Sequence, residues 1–288
     1  MSVQGRSGAL ANRIVKRVEA MKALDGIADA VAGVVQRVTA PDELKSLLSG
    51  TFLGHALHPV LTDLPVGFWT SAVLLDIVGG DDDAVDVLLA AGNVSALATA
   101  ATGLADWSDS YGPPRRAGLV HAALNGGALL AFSTALAVRR AGARRTGTGI
   151  ALAGSAFATL SAYLGGDLVY HRGLGVDHSG FESDSAVGTW TDAAADTEVS
   201  ATPRRVVVKD VPIMLVRDGD EVRALVATCV HAGGPLDEGQ VADGMVTCPW
   251  HGSRFSLKDG SVSRGPAALP QPALQTRRRK GRIEVRSA

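Results

Sequence analysis

The chain has 288 residues, room for about two domains, and carries 28 Lys and Arg against 29 Asp and Glu, so its overall charge gives no footprint for nucleic acid. Both cysteines, Cys229 and Cys248, fall in one short stretch, which leaves none for a disulfide scaffold and fits a reducing compartment. Arg13, Lys16, Arg17 and Lys22 interrupt the first apolar stretches, and no export signal is visible there, which points to a cytoplasmic start.

In residues 8–39, Leu10, Ile14, Val18, Met21, Leu24, Ile27, Val31, Val34 and Val38 recur at steps of three or four, as an amphipathic helix requires. Such a helix has two candidate resting places, the membrane surface and the next domain. From 55 to 171 four apolar runs follow, at about 58–79, 84–105, 117–138 and 148–170. Each is long enough to cross about 30 Å of hydrocarbon, with acids confined to Asp63, Asp76, Asp86 and Asp167. Short connections make neighbours antiparallel, and an even number of crossings leaves both termini on one side. Arginines flank both ends of the runs, so the charge rule does not orient the bundle. A cofactor-bearing domain that would have to fold before export favours cytoplasmic termini.

Glycine, serine and acids without period mark residues 173–187 as a linker. Beyond it, "RRVVVK", "VPIMLVRD", "EVRALVA", "GMVTC", "SRFSL", "ALQTRRR" and "RIEVR" are short and strand-like, separated by "DGD", "ADG", "KDG" and "KG" turns. The expected architecture is multidomain: an amphipathic helical segment (1–50), an all-α transmembrane four-helix bundle (52–172), the linker, and a small all-β domain (188–288). The basic run "RRRKGR" at 277–282 reads as a solvated edge, or as a patch for anionic lipid or an acidic reductase.

Cys229-x-His231 and, after sixteen residues, Cys248-x-x-His251 give two loops, each with one thiolate and one imidazole. Zinc sites commonly pair like ligands, whereas mixed loops suit two different metal atoms, as in a [2Fe-2S] centre with one all-sulfur and one imidazole iron. On the residues alone, zinc and a metal-free pair of loops remain alternatives. Residues 188–288 resemble a Rieske ferredoxin domain through "CVHAGGPLDEG" and "CPWHGSRFSL". The resemblance implies that Cys229 and Cys248 bind one iron and His231 and His251 the other, with Gly233, Gly252, Pro249 and Ser253 around the cluster. Quinol-oxidising members have an extra cysteine in each loop, which this chain lacks, so the ferredoxin and oxygenase type fits better. No domain that would hold the mononuclear iron of an oxygenase is evident.

Residues 52–180 resemble an uncharacterised family of bacterial four-helix membrane proteins through "HPVLTDLPVGFW", "GLADW", "HAALN" and "GGDLVYHRGLGV", with His58, Pro59, Pro65, Asp106, His121, Asn125 and Gly166 as motif residues. Antiparallel helices are expected to bring His58, the first turn of the third span with His121 and Asn125, and Asp167 with His171 to one bundle mouth beside Asp106. Such a cluster would hold a haem, a quinone or a metal, or serve structural hydrogen bonding alone. The function expected is single-electron transfer by a Rieske protein anchored in the inner-membrane bilayer, between a reductase and a protein or quinone acceptor, as a component of an oxidoreductase system more than as a stand-alone enzyme. The alternatives are a membrane oxidoreductase whose bundle binds quinone or haem, and a redox sensor.

Overall fold

The computed structural model describes residues 3–180 and 187–287, with side chains described from residue 12 onward. Residues 181–186 of the expected linker lie outside the described residues. The chain divides into two compact units, Met1–Thr39 with Leu57–Leu174, and Ala40–Ala56 with Gly175–Ala288. The segment expected as 1–50 is therefore divided: its first part joins the helices, and the rest, with helix α3 (Asp42–Ser49), joins the β unit.

The periodic stretch 8–39 forms two helices, α1 (Val3–Ala20) and α2 (Asp25–Val38), because Met21 leaves helical geometry with ψ near 73°. Ala28 and Ala32 of α2 are buried against Trp107 of the bundle, and Arg115 and Arg116 pair with Asp29 and Asp25. One face of α2 thus packs on the bundle, while Ile14, Ile27, Val34 and Val38 stay exposed. The four long runs become α4 (Leu57–Ile77), α5 (Asp82–Trp107), α6 (Gly112–Arg140) and α7 (Arg144–Tyr170), all long and apolar enough to span a membrane. Only 17–22% of their most apolar windows is buried, and Leu74, Val94, Leu97 and Leu130 face outward, as lipid-facing helices require. Helix α6 starts earlier than its apolar run because Pro113 and Pro114 occupy its first turn, where a missing amide costs nothing.

The bundle interior solves its polar problems one by one. Pro65 lies inside α4 and has no N–H for the carbonyl of Leu61, and Thr99 Oγ1 of α5 donates to that carbonyl at 3.1 Å instead. Trp69 stacks on Phe132 with ring centres 4.4 Å apart and donates to Asn93, while Gly92 leaves room for its indole. At the opposite end from the termini, the Arg139 side chain is 1% exposed and donates to Asp76, Asp82 and Asp86 at 2.7–2.9 Å. In sequence this arginine read as a flanking charge, yet it joins α4, α5 and α6.

The second unit contains two antiparallel sheets. Strands β1 (Thr191–Ala195), β2 (Arg204–Val208), β3 (Val211–Asp218), β4 (Glu221–Val226), β9 (Ala273–Arg279) and β10 (Arg282–Ser287) pair in the order β1-β10-β9-β4-β3-β2. Strands β5 (Gln240–Ala242), β6 (Met245–Thr247), β7 (Arg254–Ser256) and β8 (Val262–Arg264) form the smaller sheet. Residues of β3 alternate between two cores: Ile213 and Leu215 face one cluster, Met214 and Val216 the other, which also contains both cysteines. The Asp243-Gly244 and Lys280-Gly281 turns have both residues at positive φ, the twist that tight hairpins need, and Lys209-Asp210 does the same without glycine. The basic hairpin is partly neutralised, with Arg277 on Glu284 and Arg278 on Asp196, while Arg277 and Arg286 lie over Trp190.

Removing Arg139 would take the one shared, buried partner from three carboxylates at this end of the bundle, leaving Thr148 on Asp76 and Arg144 on Asp82. Arg139→Met is expected to destabilise the bundle by about 3–5 kcal/mol, read as a lower thermal midpoint in detergent; an unchanged midpoint would deny Arg139 this role.

Candidate metal centre

The loops that follow β4 and β6 close in the same way. In the first, Cys229 N–H donates to the carbonyl of Gly234 at 2.8 Å and Gly233 N–H donates back to that of Cys229 at 2.8 Å. In the second, Cys248 N–H donates to Ser253 and Gly252 N–H to Cys248, at 2.8 and 3.0 Å. Gly233 and Gly252 occupy the same place in each turn, with φ of 76° and 73°, a conformation that favours glycine.

This closure sorts the donors. The thiols of Cys229 and Cys248 are hydrogen-bond neighbours, and the rings of His231 and His251 lie 5.0 Å apart and nearly perpendicular. Amides of His231 and Ala232 are aimed at Cys229 Sγ, and those of Trp250 and His251 at Cys248 Sγ. The hydrogen bond between the thiols pushes the Cys229 thiol up, with burial adding to it, and brings Cys248 down to about 7. Burial above all, then the charges of His251, Lys45 and His178, lowers His231 to about 3, so its ring is neutral, as a metal ligand must be. Two adjacent sulfurs with amide donors and two adjacent imidazoles fit a [2Fe-2S] cluster. Among the described residues no three His, Cys, Asp or Glu side chains gather as a single-ion site would have them. The backbone also keeps space here: a Cβ on Gly234 would come within 2.9 Å of Cys248 Sγ.

Ser253 is fully buried, and its Oγ accepts from Ala267 N–H at 3.0 Å, which leaves its own proton to donate. Pro249 and Trp250 are exposed beside His251, with the Trp250 indole 6.4 Å from that ring. Several supports were not read from the sequence. Gln271, 1% exposed, accepts from Val230 N–H at 3.0 Å and donates to the carbonyls of Val226 and Thr228 at 2.8 Å. Arg264 donates to the carbonyl of Gly252 at 2.9 Å. His178 N–H donates to the carbonyl of Val230 at 3.1 Å, and its ring lies over Gly233.

Two bundle histidines bond across the helix hairpins. Nδ1–H of His58 donates to Thr99 O at 3.0 Å, and Nδ1–H of His121 to Ser161 O at 2.8 Å; a carbonyl only accepts, which fixes both tautomers. Each ring packs on a glycine four residues further along the partner helix, Gly103 and Gly165, so the α4–α5 and α6–α7 hairpins repeat one device. Asn125 donates to His121 Nε2 at 3.1 Å. His121 lies well inside α6 and not in its first turn, because the helix begins at Gly112. Asp167 takes His171 Nδ1 at 2.7 Å, with Arg172 at 3.6 Å, and the His171 side chain is 65% exposed. Asp106 is half-buried near the end of α5. His58 and His121 thus each bond across one hairpin, and Asp167 and His171 pair at the end of α7.

Gln271→Leu leaves one amide and two carbonyls of the first loop without their partner, each costing about 1–3 kcal/mol when buried. The variant is expected to hold less iron and sulfide per chain and to melt earlier; full iron content at the wild-type midpoint would count against the pin.

Comparison with known proteins agrees with the geometry. The Rieske [2Fe-2S] domain model matches residues 189–276, and the predicted membrane protein (DUF2231) model matches 54–178. The anthranilate 1,2-dioxygenase ferredoxin subunit of Burkholderia cepacia is 30% identical over 104 residues, 36% of this chain and 96% of that protein. Apoptosis-inducing factor 3 of Mus musculus is 33% identical over 76 residues, 26% of this chain, and the match spans 13% of that relative's length. The ferredoxin of carbazole 1,9a-dioxygenase from Nocardioides aromaticivorans IC177 is 29% identical with a TM-score of 0.34, covering 35% of this chain and all of that one. The chain belongs to the Rieske [2Fe-2S] family, whose cluster domain it carries behind a DUF2231 membrane domain.

Proposed function

We propose that this protein is a membrane-tethered, ferredoxin-type carrier of single electrons, in which Cys229 and Cys248 hold one iron and His231 and His251 the other. The observation that carries the reading is the matched closure of the two loops, which sets thiol beside thiol and imidazole beside imidazole. When bound, the cluster takes up and gives back one electron. The chain's residues set the terms. Amides of His231, Ala232, Trp250 and His251 direct partial positive charge at the sulfurs, and neutral imidazoles keep the site less negative than four thiolates would. The apolar cluster of Met214, Leu225, Val246 and Phe255 excludes water beneath it, while Pro249 and Trp250 lie open for a partner to approach His251.

Relatives named as ferredoxin components of dioxygenases support a reductase as donor and an oxygenase or a membrane component as acceptor. The bilayer supplies the anchor through α4–α7. The reading places the β unit on the cytoplasmic side, where a domain can fold around its cluster without prior export. A protease added to intact spheroplasts is then expected to spare a carboxy-terminal tag, and cleavage would reverse the orientation.

A second reading, a bundle that binds haem or quinone and exchanges electrons with the cluster, is favoured by one observation. His58 and His121 each donate Nδ1–H to a carbonyl, as metal-held histidines do, although Asn125 would have to release His121 Nε2. A haem spectrum or extractable quinone in the purified protein would select it.

Detergent-purified protein reduced with dithionite is expected to give the EPR signal of a reduced [2Fe-2S] centre with histidine ligands; zinc by metal analysis and a silent reduced state would sink the proposal. Ser253→Ala, which removes a buried hydroxyl donor beside the second loop, is expected to lower the midpoint potential, and an unmoved potentiometric titration would reject that role.

A further inference from the structure

Residues 40–53 precede the membrane-family match and lie far in sequence from the Rieske match, yet they pack within the β unit. Their contacts converge on the second ligand loop. Asp42, in the first turn of α3, receives Arg254 Nη2 on one oxygen and Arg264 Nε on the other, both at 2.5 Å. Arg254 opens β7 directly after that loop. Arg264 ends β8 and extends its Nη1 to the carbonyl of Gly252, the residue after His251. Ser46 Oγ accepts from Gly265 N–H at 3.2 Å, and Thr51 Oγ1 donates to the carbonyl of Ala267, whose own N–H goes to Ser253. Gly265 has no side chain where Ser49 and Thr51 approach; a Cβ there would meet their oxygens at 3.2–3.3 Å. Four contacts along fourteen residues are more than a passing linker makes.

The same helix buries a lysine. Lys45 is 5% exposed, in a residue type that is almost never fully buried. It lies one turn along α3 from Asp42, whose arginine partners flank the second ligand loop. A cation held in a water-poor place favours whichever state of its neighbour is more negative, because low dielectric strengthens the attraction.

We infer that segment 40–53 is a built-in part of the cluster site, in which Asp42 positions the second ligand loop through Arg264 and Lys45, buried on the same helix, raises the reduction potential through its positive charge. This rests on the cluster assignment above. Reduction brings one electron from an external one-electron reductant and adds one negative charge at the cluster, with no bond broken, and that added charge is what Lys45 stabilises. Burial shields the effect from salt, so raising the ionic strength should not mimic loss of the lysine.

The test uses the full chain in detergent, with cluster content and midpoint potential read by EPR during potentiometric titration. Lys45→Gln is expected to lower the reduction equilibrium constant by up to about tenfold, 59 mV for one electron, while Lys45→Arg stays near wild type. Asp42→Asn is expected to lose its cluster to a chelator several-fold faster, and Asp42→Glu to recover part of the difference. Glu43→Gln changes an exposed charge on the same helix and should do neither. An unchanged potential in Lys45→Gln, or wild-type cluster loss in Asp42→Asn, overturns the corresponding role. Should Lys45→Gln load too little cluster to titrate, Lys45→Arg must restore both loading and potential; failure of both makes Lys45 a packing residue and overturns the inference. A wild-type protein without a reduced-state EPR signal would instead remove the cluster assignment itself.

Discussion

The cluster domain depends on one backbone arrangement made twice: a cysteine amide bonded to the carbonyl five residues on, and its own carbonyl bonded to the amide of a left-handed glycine. Side chains could not sort themselves two and two without it, since each loop carries one ligand of each kind. The turn aims following amides at each sulfur and turns the imidazoles toward one another. Both cysteines are rooted in the same apolar cluster as Met214 and Phe255, so the arrangement is as rigid as the core beneath it.

Support arrives from distant parts of the chain. Gln271 fixes the first loop from the strand side, His178 meets it from the segment after α7, and Asp42 reaches the second through Arg264. Each is a polar group satisfied by backbone near a ligand, the kind of neighbour that sets ligand orientation and the charge felt at the metal. The domain thus has a wider site than its matched residues 189–276.

The bundle applies the same economy in an apolar setting, where an unmet polar group is expensive. His58 and His121 satisfy a carbonyl across each hairpin, Thr99 replaces the amide that Pro65 lacks, and Arg139 gathers three aspartates. The repetition of histidine against glycine in both hairpins gives the two halves the same internal brace.

Four apolar runs, the strand series with its glycine turns, and the mixed cysteine and histidine loops were all legible in the chain, because hydrophobic period, turn chemistry and ligand spacing are local properties. The strands β1, β5 and β8 were not, since "TDAAA", "QVA" and "VSR" each hold a single β-branched residue. The break at Met21 and the early start of α6 at its prolines also escaped, since both depend on which local tendency the surrounding packing favours. Sequence by itself determined the two domain types and the four candidate ligands. Only the tertiary structure decided that α3 packs in the cluster domain, that Gln271 pins a ligand loop, and that His58 and His121 each bond across a hairpin. Each of these joins residues some forty to more than two hundred positions apart, and no local pattern encodes such a meeting.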